Sequence, residues 1–96
     1  MEVLFKTKKL EKLCSNAAEA QKVLGIEMAG RLWQRLSELR SSASVELMGQ
    51  FGLGRCHPLH GDRKEQHALE LVHPFRVVIS KVSESVVRVV NIEDYH

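Results

Sequence analysis

Four groups of residues in this chain have the types and spacing to move protons or hold anions. The block His57-Pro58-Leu59-His60-Gly61-Asp62-Arg63 sets two imidazoles and a guanidinium within one short stretch. The chain closes on Glu93-Asp94-Tyr95-His96, which puts carboxylates, a phenol and an imidazole side by side. Histidine titrates near neutral pH and can serve as either proton donor or acceptor. Arg76 stands inside a β-branched stretch, and strand alternation sends it to the face opposite Phe75, Val77 and Ile79. On an uncovered sheet face its permanently charged fork suits an anionic ligand. Lys6, Lys8, Lys9 and Lys12 crowd the beginning of the chain.

A metal centre is a weaker use of the same residues. Cys56, His57, His60 and His96 have the right donor atoms. But His57 and His60 are three apart in a proposed strand, which turns them to opposite faces. Cys14 and Cys56 are distant and lack a Cys-x-x-Cys pattern, as expected of reduced thiols. The 96 residues suit one domain spanning 1–96, with one modest core. A net charge of +2 and a pI of about 8.7 favour an anionic partner. There is no signal-peptide pattern and no apolar run long enough for a membrane span, so the expected location is the cytoplasm.

These residues need elements to position them. Val3 to Phe5 reads as a short strand. Leu10, Leu13, Cys14, Ala17, Ala20 and Leu24 recur at helical spacing, predicting one helix from Lys9 that ends at Gly25. Met28, Leu32, Leu36 and Leu39 stripe a second helix, with Arg31, Arg35 and Glu38 facing out and Trp33 at the stripe's flank. Ser44 caps a short third turn over 45–48. Beyond Gly54 the character is β. Strands are predicted over 55–60, 66–72, 75–82 and 86–92, with 61–65 and His73-Pro74 as turns. His67 and His73 are expected to be exposed. Asp62-Arg63 should close its turn with an Asx-type bond and a surface ion pair. The predicted fold is α+β: an N-terminal strand and two helices on one face of a mostly antiparallel sheet of four to five strands.

The combination of His57-Pro58-Leu59-His60-Gly61-Asp62-Arg63, the strand arginine Arg76 and the terminal Asn91-x-Glu93-Asp94-Tyr95-His96 resembles the HigB-type killer proteins. These are RelE-superfamily toxins of bacterial toxin–antitoxin systems. The opening Phe5-Lys6-x-Lys8-x-Leu10-Glu11-Lys12 is similar too. The resemblance implies a compact RelE-like toxin that enters the ribosomal A site and cuts the mRNA there without metal or other cofactor. It also implies a cognate antitoxin, usually carrying a DNA-binding helix-turn-helix, that masks the toxin. By position, His57, Arg76, Asp94, Tyr95 and His96 would form the catalytic or RNA-contacting patch. Two departures stand out: His60 replaces a frequent lysine, and the strand near His67 and Ala68 lacks a frequent aromatic.

RNA cleavage through its own 2′-hydroxyl needs a base, stabilisation of the phosphorane, and an acid for the leaving 5′-oxygen. On that reading Arg76 carries the charge, Asp94 with His57 or His96 moves protons, and Tyr95 stacks a base. Lys6, Lys8, Lys9, Arg63 and Lys64 would bind RNA phosphates. The altered His60 position leaves a second possibility, an inert homologue acting as an antitoxin-binding corepressor or RNA-binding module. A third is an interaction protein docking through Trp33 and the helix stripes.

Overall fold

A computed structural model describes residues 1–63 and 65–94 of the chain; Lys64, Tyr95 and His96 fall outside the described residues. The elements run β1 (Glu2–Phe5), α1 (Lys8–Ser15), α2 (Ala17–Leu24), α3 (Ile26–Ser41), α4 (Val45–Gln50), β2 (His57–Pro58), β3 (Gln66–Glu70), β4 (Phe75–Ser83) and β5 (Val86–Asp94). The strands form one sheet in the order β1-β5-β4-β3-β2. β1 pairs with β5 in parallel, and the remaining three pairings are antiparallel. The predicted α+β architecture is therefore what the chain adopts.

The core lies between helices and sheet. Leu32, Leu36 and Leu39 of α3 meet Leu69, Val77, Ile79, Val87 and Val89 in one buried cluster, with Trp33 half-buried against it. Met1 ties the first strand to the end of α3. Its ammonium donates to the carbonyls of Leu39, Arg40 and Ser42 at 3.1, 2.9 and 2.8 Å. A positive group there also complements the negative end of the helix dipole.

Four expectations need correction. The first predicted helix is two helices, broken at Asn16, whose backbone is extended while its side chain accepts from the Glu19 N–H at 3.0 Å. Asparagine is a strong N-cap, and with Glu19 at the third helical position it overrides an apolar period that runs straight through. Helix α3 buries Arg35 instead of exposing it. Its Nε donates to the Glu70 carbonyl at 2.6 Å and its Nη1 to the Glu38 carboxylate at 3.0 Å. Gly54 permits this: at φ +59, a Cβ there would lie 2.8 Å from the Arg35 side chain. The strand expected over 55–60 shrinks to His57–Pro58 at the sheet edge, as befits a proline that cannot donate to a ladder. Finally, the face opposite the helices is not open throughout, since its members Ala68 and Val78 are fully buried.

Candidate active site

The site is built by the β4–β5 hairpin. A two-residue turn, Glu84-Ser85, sets the register, and two bulges along the ladder offset each other. The result pairs Arg76 with Glu93 directly, and β3 adds Glu70 on the other flank of Arg76. Paired residues share a face, so the row Glu70, Arg76, Glu93 points away from the helices.

Glu93 is the hub. Arg76 donates from Nε and Nη2 to its Oε2 at 3.1 and 2.8 Å. Arg63 reaches it from the turn Gly61–Arg63, with Nη1 and Nη2 at 3.1 and 2.9 Å from its two oxygens. The Asn91 amide donates to the same carboxylate at 3.1 Å, and Arg63 Nε is fixed by Gln66 Oε1 at 2.9 Å. Side-chain exposure rises outward from 13% for Arg76 to 18% for Glu93 and 37% for Arg63. The Arg63 hydrogen bonds, followed by those from Arg76 and Asn91, outweigh desolvation and hold the Glu93 carboxyl down to about 2. Reciprocally, Glu93 raises the Arg63 pKa. At the row's other end Arg55 lies 3.5 Å from Glu70. Two guanidinium forks thus converge on one carboxylate, an arrangement suited to any tetrahedral or planar oxyanion.

The candidate residues divide accordingly. His57 is exposed, and its Nδ1 lies 2.8 Å from the Arg55 carbonyl oxygen. In the tautomer that satisfies this contact Nδ1–H donates and Nε2 is left as a proton acceptor. His57 pairs with Ala68, which pairs with Val78, so it shares the face of Arg76 two strands away. That spacing puts their backbones roughly 12 Å apart, leaving room for a ligand between them. Asp94 pairs with Phe75 one position beyond Glu93, and alternation assigns it the opposite face from the arginine cluster. The acid of the terminal motif that meets Arg76 is Glu93. Tyr95, His96 and Lys64 lie outside the described residues.

The basic candidates are exposed: Lys6 follows β1, and Lys8 and Lys9 open α1. Lys6, Lys9 and Arg63 border one groove, while Lys8 does not line it. Arg63 does form the expected ion pair, but with Glu93 across the sheet. His73 is exposed as expected, whereas His67 is half-buried. The His67 Nδ1 is buried with no hydrogen-bond partner among the described residues, and burial lowers the His67 pKa. Among the described residues no three His, Cys, Asp or Glu side chains gather as metal ligands. Burial pushes the Cys56 thiol up to about 11, which makes it a poor thiolate donor.

Sequence reasoning missed Glu93 as hub and Arg63 as its second partner. A signal for the first was present. Counting back from a two-residue turn at Glu84-Ser85 pairs position 76 with position 93.

No family model and no curated protein sequence matches the chain. Solved structures do. A YoeB/ParE toxin from Agrobacterium tumefaciens superposes with a TM-score of 0.68 at 14% identity, covering 100% of both chains. A YoeB–YefM complex and a YoeB dimer, both from Staphylococcus aureus, each give 0.67 at 14% identity, covering 100% of this chain and 97% of theirs. These likenesses establish the fold. Among the described residues no helix is long and apolar enough to cross a membrane.

Proposed function

We propose that this protein is the toxin of a toxin–antitoxin pair, a metal-independent endoribonuclease that cuts mRNA in the ribosomal A site. The observation that carries it is the convergence of Arg63 and Arg76 on one oxyanion, on the sheet face shared by His57. The fold shared with toxins, one of them described in complex with YefM, supports a protein antitoxin as partner. The assignment to the HigB-type branch rests on the sequence alone: His57-Pro58-Leu59, Arg76 and the terminal Asp94-Tyr95-His96.

In this mechanism a base, His57 Nε2 or the His96 imidazole, takes the proton of the 2′-hydroxyl. The 2′-oxygen attacks phosphorus, and Arg76 with Arg63 stabilises the extra charge on the phosphorane. The bond to the 5′-oxygen then breaks, leaving a 2′,3′-cyclic phosphate. The departing oxygen takes a proton from the other imidazole, in its protonated form. Tyr95 stacks a splayed base. The ribosome holds the strand in line, so positioning carries part of the rate.

One observation favours the alternative of an inert antitoxin-binding or RNA-binding homologue: Arg76 already gives two hydrogen bonds to Glu93. Inducing the chain alone, the Arg76→Ala variant, and the chain together with its adjacent reading frame separates the two. The enzyme reading expects growth arrest and cuts in translated mRNA from the wild type only, with the adjacent product restoring growth. A wild type that neither slows growth nor cuts mRNA sinks it.

A further inference from the structure

The turn that precedes His57 is wound from left-handed backbone: Gly52 stands at φ +67, Gly54 at +59 and Arg55 at +51. Among the described residues Arg55 is the one non-glycine residue at positive φ. Glycine enters that region freely, whereas a Cβ there crowds the following carbonyl oxygen. A side-chain-bearing residue persists in it only where the surroundings overdetermine it, and such residues collect at functional sites. Here the surroundings are tight. Gly54 packs against the Arg35 side chain, the Cys56 N–H donates to the Leu53 carbonyl at 3.0 Å, and the Arg55 guanidinium lies 3.5 Å from Glu70. Burial of Cys56 and the pairing of His57 with Ala68 fix the chain just beyond. As a result the Arg55 carbonyl faces its own chain two residues on, with its oxygen 2.8 Å from His57 Nδ1.

We propose that Arg55 is a positioning residue: its left-handed backbone holds His57 in the Nδ1–H tautomer and so makes His57 Nε2 the base for the 2′-hydroxyl. The base assignment rests on the endoribonuclease reading; the tautomer does not. A free histidine ring prefers its proton on Nε2. Left to itself, His57 would present a donor, and not a base, to the sheet face it shares with Arg76. A carbonyl at Nδ1 reverses that preference, because the hydrogen bond made by one ring nitrogen sets the state of the other. In the transfer the 2′-oxygen–hydrogen bond breaks, the proton goes to Nε2, and the ring becomes an imidazolium. The bond that Nδ1–H donates to the Arg55 carbonyl is then charge-assisted and stronger. Protonation of the leaving 5′-oxygen falls to the imidazolium of His96. The Arg55 side chain serves the turn through Glu70, while the carbonyl acts on the histidine.

The test reads ring tautomers in the full chain, 15N-labelled, at about pH 8, above the ordinary histidine titration. Long-range proton–nitrogen correlation distinguishes the two tautomers, and His57→Gln identifies the His57 signals by their loss. The wild type should show Nδ1–H. Arg55→Gly should keep that pattern, since glycine adopts φ +51 without strain. Arg55→Val should move it toward Nε2–H, because a β-branched residue does not hold positive φ. Cleavage of translated mRNA should be about tenfold lower in Arg55→Val than in Arg55→Gly, the cost of a base largely in the wrong tautomer. The glycine variant controls for the lost guanidinium. Should Arg55→Val fail to fold, the other two proteins still decide: an Nε2–H ring in the wild type, or loss of the Nδ1–H pattern in Arg55→Gly, overturns the proposal. An unchanged tautomer in folded Arg55→Val overturns it too, as does a changed tautomer with equal cleavage. A wild type that cuts mRNA with His57 in the Nε2–H form sinks the inference and leaves the nuclease reading. A wild type with the Nδ1–H ring that cuts nothing sinks the nuclease reading and the base assignment with it.

Discussion

Replacing Glu93 by glutamine keeps the shape of the arginine cluster and removes its negative charge, so its cost depends on pH in a calculable way. The Glu93 carboxyl is held at about 2, against an ordinary value of 4.5. Linkage converts that depression into at most ~3 kcal/mol of folding stability. The cluster is open at its Arg63 side, where the side chain is 37% exposed. Solvent screening there reduces the gain to ~1–2 kcal/mol. Because the folded-state pKa is lowered, this contribution is fully present above 4.5 and is lost as pH falls through about 2. In the variant, Arg63 and Arg76 face each other with no carboxylate between them.

Urea unfolding followed by the lone Trp33 measures this directly. At pH 7 Glu93→Gln should be less stable by ~1–2 kcal/mol, equivalent to a melting temperature roughly 5–15 °C lower. The gap should close as the pH approaches about 2, where the wild-type carboxyl becomes protonated and resembles the amide. His67 and the other carboxylates titrate in both proteins and cancel in the difference. A gap that stays constant with pH, or a variant more stable at neutrality, would refute the hub.

Three further outcomes follow from the same geometry. Arg76→Ala should lower mRNA cleavage by about 10²–10³-fold, the cost of one preorganised oxyanion donor, as read by primer extension on translated message; near-wild-type cleavage would remove Arg76 from the chemistry. Gly54→Ala should destabilise by ~2–4 kcal/mol in chemical unfolding, combining left-handed strain with displacement of Arg35 from the Glu70 carbonyl. Cys14 and Cys56, with thiols pushed up to about 11 by burial, should resist a thiol-titrating reagent at neutral pH and react on unfolding; rapid native labelling would contradict their burial.

Strands β4 and β5 were legible because β-branched alternation and a short turn are local signals, and the helix stripes marked the core in the same way. What stayed hidden depended on competition or distance. The break at Asn16 is a capping preference overriding an apolar period, readable only if Asn16 and Glu19 are weighed together. Burial of Arg35 depends on Gly54 and on a carbonyl 35 residues away, and no helical pattern reports that. Arg76 was placed on the face opposite Phe75, Val77 and Ile79, but Glu93 was passed over, because the terminal motif was read as a unit with Asp94, Tyr95 and His96 carrying its chemistry. Strand alternation splits that motif, sending Glu93 and Asp94 to opposite sides.

That split bears on how an anion would enter the cluster. Glu93 holds Arg76 and Arg63 in fixed orientations, and a phosphate approaching the face meets guanidiniums that need no reordering. The same carboxylate occupies the bonds a phosphate would want. A phosphorane carries more charge than a carboxylate, so it gains more from two forks than Glu93 loses, whereas a ground-state diester, with a single charge, does not displace it. On the proposed mechanism, charge that appears only during reaction would draw the arginines away, and such selective stabilisation would raise kcat more than it tightens binding. Glu93→Gln should accordingly bind inorganic phosphate more tightly than wild type in a calorimetric titration. Unchanged phosphate affinity would mean that Glu93 does not compete for the arginines and serves only to brace the hairpin.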